Sequence, residues 1–210
     1  LAYESYQGEN LDIYAMPVDG SETPVRITDD PAPDFAPVWS PDGREIAFVS
    51  GREGNQDIFV FSLDSLELRN VTQSAQRDEG QPAISPDGDW LAYSAREQGA
   101  EKIFVQPLAD DGAADAISFG RTPTWSPDGG SLAFVADAND GQASYIYAYP
   151  YRDDGVATEV VSVLPGSDAP AWSARTLSPA LVNAGGLPLP VDDLFLEQST
   201  AHDDDPPYRL

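Results

Sequence analysis

The stretch Trp39-Ser40-Pro41-Asp42-Gly43 decides the fold, because it recurs along the chain. It returns as Ile-Ser-Pro-Asp-Gly at Ile84–Gly88, as Trp-Ser-Pro-Asp-Gly at Trp125–Gly129, and as a fading fourth copy at Trp172-Ser173. The serines of these copies stand 45, 41 and 47 residues apart, and a proline precedes each serine by three positions. A spacing this regular indicates a tandem structural repeat.

Three further sequence elements recur with the same spacing as this motif. The first follows the turn and reads Ile46-Ala47-Phe48, Leu91-Ala92-Tyr93 and Leu132-Ala133-Phe134, with the chain's opening Leu1-Ala2-Tyr3 as its earliest copy. The second reads Asp12-Ile13-Tyr14, Asp57-Ile58-Phe59, Lys102-Ile103-Phe104 and Tyr145-Ile146-Tyr147. The third ends in a hydroxyl residue at Thr28, Thr72, Ser118 and Ser162. Each repeat therefore contains four elements.

Each element has the composition of a short β-strand, with aromatic and β-branched residues bounded by Gly, Pro, Asp or Asn. Four antiparallel strands in 41–47 residues is the period of a β-propeller blade. We predict an all-β propeller with four clear blades and a degenerate fifth. The predicted blades are residues 1–30, 31–75, 76–119, 120–164 and 165–183 onward.

Six residues of the recurring turn are predicted to be structural. In each Pro-Asp-Gly, proline presets φ, aspartate caps the local backbone, and glycine takes the left-handed conformation. These turn residues are Asp42, Gly43, Asp87, Gly88, Asp128 and Gly129. The repeated aromatic residues are expected to fill the space between neighbouring blades.

The two ends of the chain raise the question of how the ring closes. Residue 1 lies in a second strand, so we expect the chain to begin within a blade and to be a piece of a longer protein. The strand near Trp172 either completes the first blade, closing a ring of four, or opens a fifth blade that continues through Ala180–Val182 and Val191–Leu196. We favour the incomplete ring, because closure at four leaves those later segments unexplained. Residues 184–210 form an acidic, proline-rich stretch typical of a linker.

Composition excludes several classes of partner. The 210 residues include 36 acidic and 11 basic side chains, a net charge of −25. Such a surface repels nucleic acid, whose binding needs clustered cations. No apolar run approaches the length of a membrane span. Cysteine is absent, which excludes disulfides and thiolate metal sites.

The sequence contains no recognisable catalytic machinery. There is no Gly-x-Ser-x-Gly motif, and the single histidine is His202 in the acidic stretch. Asp137–Gly141 resembles a calcium loop but departs from the EF-hand pattern, so we interpret it as a turn. We predict neither cofactor nor metal.

Trp39, Trp125 and Trp172 share a position with Ile84 and are interpreted as core residues, whereas Trp90 is expected to be more exposed.

The candidate binding residues lie where each blade enters the central channel. They are Asp34, Glu79, Arg121 and Asp168, which vary between repeats and converge at one mouth of the ring. An acidic mouth with one arginine is suited to a cationic peptide or a metal ion, although solvated loop charge explains the same residues.

The motif Pro-x-Trp-Ser-Pro-Asp-Gly, followed by Ile-Ala-Phe and Asp-Ile-Phe, resembles the TolB-type propeller repeat over roughly residues 1–183. This resemblance implies a periplasmic or cell-surface setting and protein partners. We predict a non-enzymatic, protein- or peptide-binding module without membrane insertion. Two alternatives stay open. The chain is an accessory propeller of a prolyl oligopeptidase-like hydrolase whose catalytic domain lies elsewhere, or a structural part of a surface assembly in which other domains or chains complete the ring.

Overall fold

A computed structural model of the chain describes residues 1–6, 10–109, 112–137, 144–151, 158–163, 170–172 and 194–195. All of its regular secondary structure in these ranges is β-strand. The strands are β1 (Ala2–Ser5), β2 (Asp12–Ala15), β3 (Val25–Arg26), β4 (Asp34–Trp39), β5 (Glu45–Ser50), β6 (Asp57–Ser62), β7 (Leu68–Asn70), β8 (Asp78–Ile84), β9 (Trp90–Glu97), β10 (Ala100–Pro107), β11 (Asp115–Phe119), β12 (Arg121–Trp125), β13 (Ser131–Asp137), β14 (Ser144–Pro150), β15 (Thr158–Val163), β16 (Ala171–Trp172) and β17 (Leu194–Phe195). No helix in the described ranges is long and apolar enough to cross a lipid bilayer.

The strands form separate antiparallel sheets in chain order, as the repeat predicts. Strands β4 to β7, β8 to β11 and β12 to β15 make three four-stranded sheets, and β1 to β3 make a three-stranded one. We number these sheets blades 1 to 4 in chain order, starting from β1–β3. The predicted fold class, an all-β propeller of four-stranded antiparallel blades, is confirmed.

The ring is not closed in the described part of the chain. Strand β16 pairs with β17, matching Ala171 with Phe195 and Trp172 with Leu194, and β1 is the edge of its sheet. Closure at four blades would instead put β16 beside β1. Strand β17 lies within Val191–Leu196 and pairs directly with β16, the innermost strand of that sheet. Ala180–Val182 lies outside the described residues.

A stacked aromatic pair marks the centre of each of the four blades. Phe48 on β5 and Phe59 on β6 are cross-strand partners whose ring centroids lie 6.2 Å apart. The equivalent pairs are Tyr3 with Tyr14, Tyr93 with Phe104, and Phe134 with Tyr147. Stacked rings of this kind stabilise a sheet beyond the apolar area that they bury.

The core lies between the blades, because neighbouring sheets pack face to face and blades 2 and 3 are each covered on both faces. Alternation along β6 sends Ile58 and Val60 into a cluster with Leu91 and Tyr93 of blade 3. It sends Phe59 into a second cluster with Ile13 of blade 1. A third cluster joins blades 3 and 4. This arrangement is why a single blade could not bury both of its faces alone.

The recurring turn has the same hydrogen bonds in its three complete copies. In the first copy Gly43 N–H donates to Ser40 O at 2.9 Å, and the Ser40 hydroxyl donates to Asp42 Oδ1 at 2.7 Å while accepting from Glu45 N at 2.9 Å. The hydrogen bond from Ser40 lowers the pKa of Asp42. The turn glycines have positive φ, at 72° for Gly43, 81° for Gly88 and 68° for Gly129. The second and third turn aspartates, Asp87 and Asp128, accept from Ser85 and Ser126.

Candidate channel-mouth site

The predicted mouth residues stand at the start of the innermost strands. Asp34 opens β4, Glu79 is the second residue of β8, and Arg121 opens β12. Asp168 lies outside the described residues. The amide of Asp34 donates to Leu11 O at 2.9 Å, and that of Glu79 donates to Gln56 O at 2.8 Å. Each innermost strand is therefore tied to the preceding blade at this point.

Each innermost strand also carries a bulge that the sequence did not reveal. Ala36, Gln81 and Thr122 have φ values of 52°, 52° and 49°, and the strand register shifts beside each of them. Every one of these residues precedes a proline, a position that normally favours extended backbone. A left-handed conformation at a residue other than glycine costs about 1–3 kcal/mol and is concentrated at functional sites.

Asp34 is not the solvated loop charge that the sequence left open as an explanation. Its side chain is completely buried, and both of its carboxylate oxygens accept from Arg52 Nη2 at 2.9 Å. The Arg52 guanidinium also lies over the Phe59 ring, 4.9 Å from its centroid. The Asp34 carboxylate is therefore held by an arginine of its own blade, because a buried carboxylate requires a charged partner, while its backbone amide connects the strand to blade 1.

Glu79 is completely buried as well. Its Oε1 lies 3.5 Å from Arg77 Nε, and its Oε2 accepts from the Thr72 hydroxyl at 3.4 Å. Burial, and then the neighbouring Asp57 carboxyl group, raise the pKa of Glu79 to about 8. The Arg77 guanidinium lies 4.4 Å from the centroid of the Phe104 ring. Glu79, like Asp34, is therefore a buried carboxyl group beside an arginine that covers an aromatic ring. The ion-pair distance is longer at Glu79 than at Asp34.

Arg121 faces a different neighbour. Its Nη1 lies 2.9 Å from Asp137 Oδ2 at the end of β13, within the same blade. The predicted mouth residues therefore do not form one cluster: Asp34 and Glu79 are buried between successive blades, and Arg121 pairs within blade 4.

A cavity of about 540 Å³ opens at the same end of the innermost strands. Its charged wall residues are Glu4, Asp78, Glu79, Glu101 and Arg96. Ala36 and Gln81, the left-handed residues of β4 and β8, are also in the wall, and Glu4 Oε2 accepts from Ala36 N at 2.8 Å. Among the predicted mouth residues that the structure describes, Glu79 alone reaches this cavity. Sequence reasoning missed Glu4, Asp78 and Glu101, which are acidic residues beside the predicted positions or on adjacent strands.

The tryptophans act mainly in packing. Trp125 is buried and donates from Nε1 to Ala83 O at 3.1 Å, and Trp172 donates to Thr124 O at 3.2 Å. Each bond connects an innermost strand to the innermost strand before it. Trp90 is half-buried and meets Tyr151 edge-on, with ring centroids 5.5 Å apart.

Tandem four-stranded blades, a cavity beside the innermost strands β4 and β8, and a repeated Ser-Pro-Asp-Gly turn define a β-propeller repeat protein. The model of the TolB β-propeller domain matches residues 1–176. The chain belongs to this family.

Individual relatives agree with the assignment. The Tol-Pal system protein TolB of Syntrophus aciditrophicus is 33% identical over 75 residues, which are 34% of this chain and 16% of that protein. A solved structure assigned as TolB from Agrobacterium tumefaciens superposes with a TM-score of 0.68 at 23% identity, covering 80% of this chain and 63% of that one. A puromycin-hydrolysing peptidase of Mycobacterium tuberculosis superposes with a TM-score of 0.59 at 15% identity, covering 82% of this chain and 34% of that one.

The two structural matches show the fold alone, because their identities are below 25%. The chain spans less than two thirds of the length of each of these relatives.

Proposed function

We propose that this chain is a non-enzymatic propeller module that binds a basic segment of a protein partner in the acidic channel-mouth cavity. The observation that carries the proposal is the cavity itself, which residues of three successive blades enclose. A concave site of several hundred Å³ with a few polar groups is the usual form of a ligand site.

The charge of the cavity favours a basic ligand. Glu4 and Asp78 are exposed and Glu101 is half-buried, whereas Arg96 is the single basic residue of the wall. The chain as a whole carries a net charge of −25, so a cationic segment is attracted from a distance and then directed to the cavity.

Two of the predicted binding residues take a different role in this proposal. Asp34 and Glu79 are buried, so they hold the blades beside the cavity, and the accessible acids make contact with the ligand. Arg121 and Asp168 are retained as proposed mouth residues of blade 4 and the blade after it.

The family supports a protein partner and export. The curated relative is named as a protein of the Tol-Pal system, and we propose that this chain likewise acts in the periplasm with a protein partner. The alternative of an accessory hydrolase propeller has support from fold alone, since the peptidase match is 15% identical. Completion of the ring by other domains or chains also stays a proposal.

The experiment uses a short peptide of alternating lysine and serine, and the same peptide with glutamine replacing lysine. Fluorescence anisotropy compares the wild type, the double variant Asp78→Lys/Glu101→Lys, and the control Glu22→Lys/Glu67→Lys. The control changes net charge equally at exposed positions outside the cavity wall. We expect the cavity variant to lose at least about tenfold in affinity for the lysine peptide, and the control less than about twofold.

Equal losses in both variants would show that the peptide responds to net charge alone, and would contradict the proposal. Equal binding of the glutamine peptide by the wild type would contradict the basic character of the ligand. Thermal unfolding of each variant checks that the propeller stays folded.

A further inference from the structure

Two equivalent contacts between blades differ by one positive charge. We call them the first seam (Asp12, Arg26, Asp34 and Arg52, between blades 1 and 2) and the second seam (Asp57, Asn70, Arg77 and Glu79, between blades 2 and 3). Asp12 and Asp57 occupy one repeat position, and Asp34 and Glu79 occupy another, each pair 45 residues apart.

The first seam contains two carboxylates and two arginines. Asp12 is completely buried, and its Oδ2 lies 2.6 Å from Arg26 Nη2. Asp34 is bound by Arg52 as described above. Each buried negative charge therefore has its own positive partner.

In the second seam an asparagine takes the place of the first arginine. Arg26 is the cross-strand partner of Tyr14, and Asn70 is the cross-strand partner of Phe59, the equivalent aromatic residue. Asn70 Nδ2 donates to Asp57 Oδ2 at 2.8 Å, much as Arg26 binds Asp12. The contact is retained but its charge is lost, so Arg77, which pairs with Glu79, is the one arginine of the second seam beside two buried carboxyl groups.

The hydrogen bonds indicate which carboxyl group is neutral. Asp57 accepts from Asn70 Nδ2, from Asn55 Nδ2 at 3.2 Å and from Ser74 N at 3.3 Å. The two oxygens of Asp57 therefore already accept three hydrogen bonds. Glu79 Oε1 has no hydrogen-bond partner among the described residues, and Arg77 Nε lies 3.5 Å away from it. The Glu79 side chain lies within hydrogen-bonding reach of Asp57, and a proton on Glu79 would remove one of the two negative charges of the second seam.

We propose that the second seam is a proton-dependent joint. In this joint the protonated carboxyl group of Glu79 donates a hydrogen bond to Asp57. Release of the proton to solvent loosens blade 2 from blade 3. The proposal stands independently of the proposed function, although the joint lies in the cavity wall.

The surroundings of Glu79 agree with this assignment. Its charged or titratable neighbours are Asp57 on β6, Arg77 in the segment before β8, and Tyr93 on β9, with Glu4, Asp78, Arg96 and Glu101 around the adjoining cavity. Burial and Asp57 raise the pKa of Glu79, and Arg77 opposes them only in part. Burial also raises the pKa of Tyr93, which is neutral throughout the range concerned.

The direction of the pH dependence follows from these charges. The folded protein holds the Glu79 proton up to about pH 8, and an unfolded chain releases it near its ordinary pKa of 4.5. The stabilisation is therefore fully present below about pH 4.5, and is lost progressively as the pH rises towards about 8.

The test compares thermal unfolding of the wild type, Glu79→Gln and Asn70→Arg between about pH 5 and about pH 9. Glutamine reproduces the neutral side chain, and arginine restores the charge that the first seam has. We expect the melting temperature of the wild type to fall by several degrees more than that of either variant over this range. Parallel profiles in all three proteins would overturn the proposal.

A second measurement keeps the test decisive if a variant fails to fold. The carboxyl carbons of ¹³C-labelled glutamate are followed by NMR through a pH titration of the wild-type chain. We expect one glutamate with a midpoint above about pH 7, outside the ordinary range for this side chain. Midpoints below about pH 5.5 for every glutamate would overturn the proposal.

Discussion

Arg52 and Asp34 form a buried ion pair in which one guanidinium nitrogen lies 2.9 Å from both carboxylate oxygens. The pair connects the loop after β5 to the first residue of β4, and the arginine covers the aromatic stack of blade 2. It occupies the start of an innermost strand, where an accessible binding residue was predicted. The innermost strand of blade 2 is therefore fixed at the channel mouth by a charge pair within that blade.

Replacing Asp34 with Asn should destabilise the chain by about 3–5 kcal/mol, because Arg52 is left without its counter-charge in a buried place. Urea unfolding followed by tryptophan fluorescence measures this loss. Asp64→Asn is the matched control, since Asp64 and Arg44 form a surface pair 3.7 Å apart with both side chains about 70% exposed. The same midpoint shift in both variants would contradict the structural role of Asp34.

Two glycines should differ in their tolerance of alanine. An added Cβ at Gly120 would lie 2.7 Å from Phe134 Cδ2 and from Val135 O, whereas Gly43 has open space around it. Both have positive φ, so Gly43→Ala should lose about 1–2 kcal/mol from backbone strain alone. Gly120→Ala should lose about 1–3 kcal/mol more, because the core beneath it must shift. Thermal unfolding measures both, and an equal loss at the two sites would contradict the packing at Gly120.

Removing the hydroxyl of the repeated turn should weaken one blade. Ser85 Oγ accepts from Trp90 N at 2.9 Å and donates to Asp87 Oδ1 at 2.5 Å. Ser85→Ala should therefore lose about 1–2 kcal/mol, since it leaves the partly buried amide of Trp90 without its acceptor. Chemical denaturation tests this against Ser65→Ala, an exposed serine in another turn. A Ser85 variant as stable as the Ser65 control would show that the turn does not need its serine.

Gln81 connects blade 3 to blade 4 through a single oxygen. Its Oε1 accepts from Ser94 Oγ at 2.9 Å and from Thr122 N at 2.8 Å. Gln81→Met keeps the length of the side chain but removes this acceptor, so it should lose about 1–2 kcal/mol and speed amide exchange at Thr122. Gln76→Met, at an exposed position, is the control. Unchanged exchange at Thr122 would contradict the bridge.

The fold could be predicted from the sequence because its determinants are local and repeated. The Ser-Pro-Asp-Gly turn forms all of its bonds within six residues, and Phe48 and Phe59 meet across one hairpin. Such features leave a periodic pattern even in a single sequence.

The candidate site could be predicted only in part, because its partners come from outside the repeat. Arg52 lies in a loop after a second strand, and Arg77 lies in the connection between blades, yet each covers an aromatic stack and faces a buried carboxyl group. Neither arginine belongs to a repeated motif, so the repeat pattern does not predict its position. The left-handed conformation of Ala36 was also unpredictable, since the following proline favours extended backbone.

Binding of a basic peptide in the channel-mouth cavity is tested most directly by finding where on the propeller the peptide lies. A nitroxide-labelled peptide of alternating lysine and serine is added to ¹⁵N-labelled chain, and line broadening is measured for each assigned amide. We expect broadening at the cavity wall, around Ala36, Gln81 and Arg96, that disappears with the glutamine peptide. Broadening centred on the outer strands β7 and β11 would contradict binding in the cavity.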